Sequence, residues 1–333
     1  MKFPWRGAIG LALTVFLLWL AFRNAPFAEV RRNLLDADLT LVALSVVVAT
    51  LIFPLRALRW GPILHPVAPN LPLAPLWRAT AVGFMANNIL PARIGELVRA
   101  YMLSRETTVS FSAAFASLVV DRVFDGFIVI ALMVLAMFAA DFPSTTLVAG
   151  VPAANYAGGG VVVLVLVSAA LYAIVFFPDR LISLFEMAVR RVAPRFEERG
   201  RLMLRAFANG LGVLRNPLRF ALVFAWALAL WLTQAVAFWI MFKAVGITAP
   251  FSAALFIQGL IVLGVAVPST PGFFGPFELA AVAGLALYGV DNSLAVAWAL
   301  GFHVLSLIPI TLIGLYYLAR SGLRLGDLKQ IGK

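Results

Sequence analysis

Apolar segments recur along the chain near residues 8–22, 39–55, 76–90, 111–139, 157–177, 220–242, 252–290 and 294–319, with short polar stretches between them. Such runs predict membrane-spanning helices, because about 20 apolar residues cross a hydrocarbon core of ~30 Å. The segment 252–290 departs from this pattern. It is broken at Pro268-Ser269-Thr270-Pro271-Gly272-Phe273-Phe274-Gly275-Pro276-Phe277-Glu278, which holds three prolines and two glycines. Proline removes a backbone donor and clashes with the preceding turn, so no continuous helix runs through this stretch. Each flank then reaches about 20–25 Å at ~1.5 Å per residue, short of the bilayer core. Broken backbone is tolerated at membrane depth only where protein buries it or it lines a watery cavity. The stretch therefore predicts the tip of a re-entrant hairpin. A second break lies upstream, at Asn87-Asn88-Ile89-Leu90-Pro91-Ala92-Arg93-Ile94-Gly95-Glu96. Both contain Pro-x-x-x-Gly followed shortly by a glutamate.

Loop charges set the orientation of the segments. Residues 140–156 carry no Lys or Arg and are expected outside. The stretch 178–219, with Arg180, Arg190, Arg191, Arg195, Arg199, Arg201, Arg205, Arg215 and Arg219, is expected in the cytoplasm, as is the tail with Arg320, Arg324, Lys329 and Lys333. Segment 220–242 then runs outward and 294–319 inward, so 251–290 enters and leaves from outside. At the other end, 39–55 returns to cytoplasmic Arg56 and Arg59 and 111–139 leaves again, so 76–105 is a hairpin entering from inside. The loop 23–38 is assigned outside, against its Arg23, Arg31 and Arg32. Two opposed hairpins between full spans make an inverted repeat, with units near 39–140 and 220–319. Glu96 to Asp121 and Glu278 to His303 are both separated by 25 residues. Inverted repeats of this kind place transporter sites near the membrane midplane. The expected fold is a single all-α polytopic membrane domain over 1–333, with six full spans plus two re-entrant helical hairpins.

Composition narrows the function classes. With 63% hydrophobic and 12% charged residues there is no room for a large soluble domain. The net charge of +11 is what cytoplasmic arginines produce, and no nucleic acid is implied. The absence of cysteine excludes disulfides, zinc thiolates and a cysteine nucleophile. Lys2 and Arg6 precede an apolar run in the manner of a signal peptide, but no small-x-small cleavage site follows, so an uncleaved first span is expected. No Gly-x-Ser-x-Gly, His-Glu-x-x-His or P-loop occurs. No enzyme, metal site or cofactor is expected. The stretch 178–219 is expected to lie on anionic lipid.

Candidate site residues are the ionisable and amide groups inside apolar segments, where charge is costly and usually purposeful. Glu278 reads either as a helix-start charge or as a substrate or proton site. Arg93 and Arg99 snorkel to headgroups, or Arg93 grips a lipid phosphate that Glu96 holds in place. Asn87 and Asn88 cap the broken helix ends or contact ligand. Asp121 and Asp125 share a helix face at i, i+4, and Arg122 reaches Asp125 at i, i+3, which suggests an internal ion-paired network that is either structural glue or a substrate path. Ser269 and Thr270 add hydroxyls at the second break, and His303 occupies the place that matches Asp121.

At AVGFMANNILPARIGELVRAYMLSRE, DRVFDG, VPSTPGFFGPFE and GFHVLSLIP, the chain resembles the flippase-like family, also called the lysylphosphatidylglycerol synthase transmembrane region. That region forms the membrane half of the bacterial multiple peptide resistance factor and also occurs in stand-alone proteins, some tied to hopanoid or glycolipid pathways. The family's N-P-x-R-x-G-E-like stretch maps onto Leu90 to Glu96, its acidic-Arg pair onto Asp121 and Arg122, and its Pro-rich break onto Pro268 to Glu278. The resemblance implies a lipid flippase-like transporter in the bacterial inner membrane, with both termini cytoplasmic. Its partners would be membrane lipids with phosphate-bearing headgroups, and a lipid-synthesis enzyme is a further partner to consider. Two-part members carry a soluble aminoacyltransferase domain after this region. The chain ends at Lys333, so it is expected not to make lysyl-lipid itself. Two rival readings stand: a non-transporting accessory of lipid or glycolipid synthesis, and an intramembrane transferase using these carboxylates.

Overall fold

The computed structural model describes residues 5–90, 94–148, 150–177, 216–266 and 270–331, together with Asp179, Arg180, Ser183 and Met187. The bulk of the basic stretch 178–219, including Arg190, Arg191 and Arg195, lies outside the described residues. Helix α1 (Trp5–Phe22) is followed by a short α2 (Phe27–Leu35) bent away from it by 83°. The sequence pattern gives no sign of α2. Helix α3 (Leu39–Thr50) starts at Asp38, whose carboxylate accepts from the Thr40 and Leu41 N–H groups. It breaks at Leu51 before α4 (Ile52–Leu64), because the Pro54 ring opposes the Thr50 carbonyl. Then follow α5 (Leu73–Ile89), α6 (Gly95–Glu106), α7 (Phe111–Met137) and α8 (Asn155–Phe176), with a two-residue antiparallel pairing of Leu147–Val148 and Val151–Pro152 before α8. The second half holds α9 (Pro217–Ala244), α10 (Phe251–Gly264), a 3-10 turn (Pro271–Phe273), α11 (Pro276–Leu287), α12 (Asn292–Arg320) and α13 (Leu325–Ile331).

Among the described residues, α3 with α4, then α9 and α12, are each long and apolar enough to cross a membrane, and the bent α1–α2 pair makes a fourth candidate. Helix α7 has the length but carries Asp121, Arg122 and Asp125 near its middle. Leu11, Val15, Phe16 and Trp19 of α1, Val162 to Leu166 of α8 and Leu312 of α12 leave apolar side chains at the surface, as a lipid-facing wall requires.

Both broken stretches fold as antiparallel helical hairpins. In the first, Gly95 lies against Gly83 and Asn87 while Gly83 also meets Arg99. In the second, Gly264 meets Pro276 and Ala280 while Gly284 meets Ile257 and Leu260. The α5–α6 hairpin starts and finishes at one end of the bundle, where Arg78 pairs with Glu106 at 2.7 Å. The α10–α11 hairpin starts and finishes at the other. There Ser252 donates to Asp141 at 2.6 Å, Ser293 to Glu29 at 2.9 Å, and the Asp38 N–H to the Ala244 carbonyl. Beside the two breaks, Asn88 reaches Thr311, about two-thirds of the way along α12, and Thr270 reaches Thr14 of α1. Packing is reciprocal. Helix α5 lies on α12, and α10 lies on α7. The two largest apolar cores among the described residues lie around Phe238, Phe242, Trp298 and Phe302, and around Trp60, Leu64, Met85 and Leu103.

Candidate functional site

Helix α7 begins at Ser110, whose hydroxyl accepts from the Ala113 N–H, and from there a helical register carries Asp121 and Asp125 to one face, one turn apart. Arg56 and Arg59 of α4 come to that face, also one turn apart. Arg59 spans both carboxylates: Nη2 is 2.7 Å from Asp121 Oδ1 and Nη1 is 2.7 Å from Asp125 Oδ1. Arg56 Nη1 lies 2.6 Å from Asp125 Oδ2, and the Trp231 indole donates to Asp125 Oδ1 at 3.0 Å. Arg99 of α6 stands 3.4 Å from Asp121 Oδ2 and lies over the Trp60 ring at 4.1 Å. All of these ionised groups are nearly inaccessible. Removing such ions from water costs several kcal/mol each, which only forked pairing of this quality offsets.

The network reaches its edge at Arg122. Its guanidinium is 3.2 Å from Asp125 Oδ2 and 2.9 Å from Glu96 Oε1, with the Arg122 side chain 40% exposed and Glu96 28%. Asn87 holds the first hairpin's break together: its Oδ1 accepts from the Gly95 N–H at 2.8 Å, and its Nδ2 donates to Glu96 at 3.4 Å. Among the described residues, four arginines (56, 59, 99 and 122) meet three carboxylates (Glu96, Asp121 and Asp125), one positive charge in excess. Among the described residues, the Nε atoms of Arg56 and Arg99 and Nη2 of Arg99 have no hydrogen-bond partner.

The second hairpin presents a different pair. Gly275, at φ 95°, occupies a conformation that suits glycine, and its N–H donates to Glu278 Oε2 at 2.7 Å. Glu278 Oε1 is 2.6 Å from His303 Nδ1, and both side chains are buried. The imidazole is stacked on Phe277, with centroids 4.1 Å apart. Thr270 shares a hydrogen bond with the Thr14 hydroxyl, at 3.1 Å, and Thr14 donates to the Phe274 carbonyl. This threonine docks the break onto α1.

Between the two hairpins lies a central cavity of about 190 Å³. Aromatic rings contribute to its wall, Phe84 and Trp231 on the side of the arginines, and Phe273, Phe277 and Phe302 on the side of the second hairpin. Asn88, Gln234, Gln258, His303 and Ser306 supply its polar groups. Phe84 and Trp231 join the cavity to the charged cluster. The Arg56 and Arg122 guanidiniums lie over the Phe84 ring at 5.3 and 6.0 Å, and Trp231 is bonded to Asp125. No group of three or more His, Asp or Glu side chains among the described residues is arranged to hold a metal ion.

The structure thus unites Asn87, Glu96, Asp121, Arg122 and Asp125 in one cluster, and Glu278 with His303 in another. Asn88 lies between them, bonded to Thr311 at 2.9 Å. Arg93 and Ser269 lie outside the described residues. The equal 25-residue spacings lead to unequal chemistry: Glu278 touches His303, whereas Glu96 reaches Arg122, the neighbour of Asp121. Glu278 is both a helix-start cap and half of a buried pair, so its two readings are not exclusive. Sequence reasoning missed Arg56, Arg59 and Arg99. It took the first two as loop charges and the third as a group snorkelling to headgroups, yet Arg59 is fully buried and Arg99 is 1% exposed. A signal was present, since the i, i+3 spacing of Arg56 and Arg59 complements the i, i+4 aspartates. Gln234 and Gln258 were also passed over, as single amides in apolar helices.

A family model described as the lysylphosphatidylglycerol synthase TM region matches residues 7–314. A UPF0104 membrane protein of Methanothermobacter thermautotrophicus is 28% identical over 326 residues, covering 92% of this chain and 90% of that one. A UPF0104 membrane protein of Pyrococcus horikoshii is 22% identical over 325 residues, covering 92% and 93%. A Haloferax volcanii protein named glycosyltransferase AglD is 37% identical over 116 residues, which is 35% of this chain and 19% of that much longer one.

Proposed function

Because this chain belongs to the lysylphosphatidylglycerol synthase TM region family of membrane proteins, we propose that it is a lipid flippase-like transporter, passing a phosphate-bearing lipid between leaflets. The observation that carries the reading is the buried cluster with one excess positive charge, open at Arg122 and Glu96 beside the first break and joined to a central cavity. An excess charge at membrane depth is costly unless an anion shares the site. Arg122 would take the phosphate, with Glu96 and Asn87 holding its guanidinium in place. Arg56, Arg59, Asp121 and Asp125 would form the rigid base, and Glu278 with His303 the opposite wall.

In this reading both hairpins are re-entrant, one from each face, and the units 39–140 and 220–319 are inverted repeats within a six-span fold. The reciprocal packing of α5 on α12 and α10 on α7 supports it, as do the contacts of Asn88 with Thr311 and of Thr270 with Thr14 beside the breaks. The end with Arg78, Arg105, Arg219 and Arg320 would face the cytoplasm with both termini, in a bacterial inner membrane. The sequence holds no nucleotide-binding motif, so transport would be downhill or ion-coupled. A second reading, an accessory role in glycolipid synthesis without transport, draws on the match to a glycosyltransferase-named protein.

The test is leaflet exchange of phosphatidylglycerol with a fluorescent acyl chain in proteoliposomes. Wild type should exceed protein-free vesicles, and Arg122→Gln and Glu96→Gln should each lower exchange at least tenfold with near-normal melting. No exchange by wild type, or undiminished exchange in both variants, would refute transport through this site.

A further inference from the structure

We infer that the central cavity is a subsite for an uncharged, hydroxyl-bearing headgroup, a polyol or sugar, and that Gln258 is its specificity residue. The inference deepens the transport reading and rests on it only in taking the ligand to be a lipid. It begins from a buried amide. Gln258 lines the cavity and is 1% exposed, and neither its Oε1 nor its Nε2 has a hydrogen-bond partner among the described residues. A buried amide left unpaired destabilises the protein that carries it, and a same-sized apolar side chain would remove that cost. The terminal torsion of glutamine is broad, so a small rotation turns the amide toward an occupant.

The wall chemistry selects the occupant. Among the described residues, neither an arginine nor a carboxylate lines the cavity. The rings of Phe84 and Trp231 stand on the side of the arginines, so a charged group would find no counter-charge among those lining residues. A hydroxyl both donates and accepts, and an amide has a donating nitrogen and an accepting oxygen, so hydroxyls can satisfy Nε2 and Oε1 alike. A phosphate oxygen only accepts, and would leave Oε1 of Gln258 unmatched. The nearby polar groups fit the same partner. Ser306 gives its proton to the His303 carbonyl and keeps its lone pairs, while His303 has Nδ1 committed to Glu278 and one ring nitrogen remaining. Gln234 adds a second amide. At about 190 Å³ the cavity is below the ~300 Å³ of pockets that enclose a whole drug-sized ligand, a size for a headgroup with its acyl chains elsewhere. The Phe84 ring, shared by cavity and Arg122, then places the phosphate site next to the hydroxyl site.

The experiment measures binding to the purified full chain in detergent, through ligand-induced shifts in melting temperature. Three short-chain probes separate the chemistries: phosphatidylglycerol (phosphate and hydroxyls), phosphatidic acid (phosphate without headgroup hydroxyls) and glucosyl diacylglycerol (hydroxyls without phosphate). Gln258→Met should weaken phosphatidylglycerol and glucosyl diacylglycerol at least tenfold and leave phosphatidic acid unchanged, while the ligand-free melting temperature stays level or rises. A residue with a merely structural role would lower that temperature. Gln258→Leu repeats the test with a different shape. Arg122→Gln should weaken the two phosphate lipids and spare the glucosyl lipid. The inference is overturned if both Gln258 variants bind the hydroxyl lipids as wild type does, if they weaken phosphatidic acid equally, or if wild type fails to bind glucosyl diacylglycerol. Wild type that binds in this pattern yet moves no lipid would remove the transport reading and leave the subsite standing.

Discussion

Asp125 offers the sharpest test of how this fold is held together. Its carboxylate receives Arg56 at 2.6 Å, Arg59 at 2.7 Å, Trp231 at 3.0 Å and Arg122 at 3.2 Å. Asp125→Asn keeps the volume and one acceptor oxygen but removes the charge, leaving four arginines against Glu96 and Asp121 alone. Breaking a buried pair by neutralising one partner costs about 3–5 kcal/mol, since the other charge stays buried without compensation. The chain contains its own control. Arg78 and Glu106 pair at 2.7 Å, with side chains 38% and 24% exposed, and exposed pairs of that kind contribute only about 0–1 kcal/mol. Reversible unfolding in mixed micelles, followed by tryptophan fluorescence, should therefore separate D125N from E106Q by at least about 2 kcal/mol, the lower end of the first range less the upper end of the second. Adding Arg59→Gln to D125N should cost less than the sum of the single changes, because the charge it removes has already lost a partner. If D125N and E106Q unfold within 1 kcal/mol of each other, burial does not govern this network, and the reasoning about the cluster fails.

Other expectations follow from the hairpins and the bundle ends. A Cβ at Gly95 would run into the Gly83 carbonyl and the Asn87 side chain, so Gly95→Ala should lower yield and melting temperature by more than Gly126→Ala, where a Cβ meets nothing within 4 Å. Glu278→Gln should keep the cap on the Gly275 N–H while weakening the contact with His303. Its effect on lipid exchange should therefore exceed its effect on stability, and a loss of fold with no change in exchange per folded molecule would contradict that. The native chain has no cysteine, so single cysteines report sidedness cleanly. Positions Asp141 and Asn292 should label from one face of the membrane and Arg105 and Ser321 from the other; labelling of Arg105 and Asn292 from the same side would rule out opposed hairpins.

Hydropathy and proline placement alone determined much of this protein. The apolar runs 111–139, 157–177, 220–242 and 294–319 correspond to α7, α8, α9 and α12 within about three residues, because burial in lipid or protein requires an uninterrupted apolar helix. The proline-bearing stretches predicted helix ends that α5 and α10 meet, at Ile89 and Gly264, since a missing N–H and a clashing ring act locally whatever the surroundings. The i, i+3 contact between Arg122 and Asp125 was legible for the same reason: helix geometry places them together without help from the rest of the chain. Tertiary structure decided what local rules do not reach. Arg56 and Arg59 carry the same charge as any loop arginine, and only the docking of α4 against α7 distinguishes a buried fork from a topological marker. Glu278 and His303 meet because α11 lies against α12, and Thr270 is consumed by Thr14 at the opposite end of the sequence. Gln258 has no partner within its own helix. Its significance comes from the cavity formed where both halves of the chain converge.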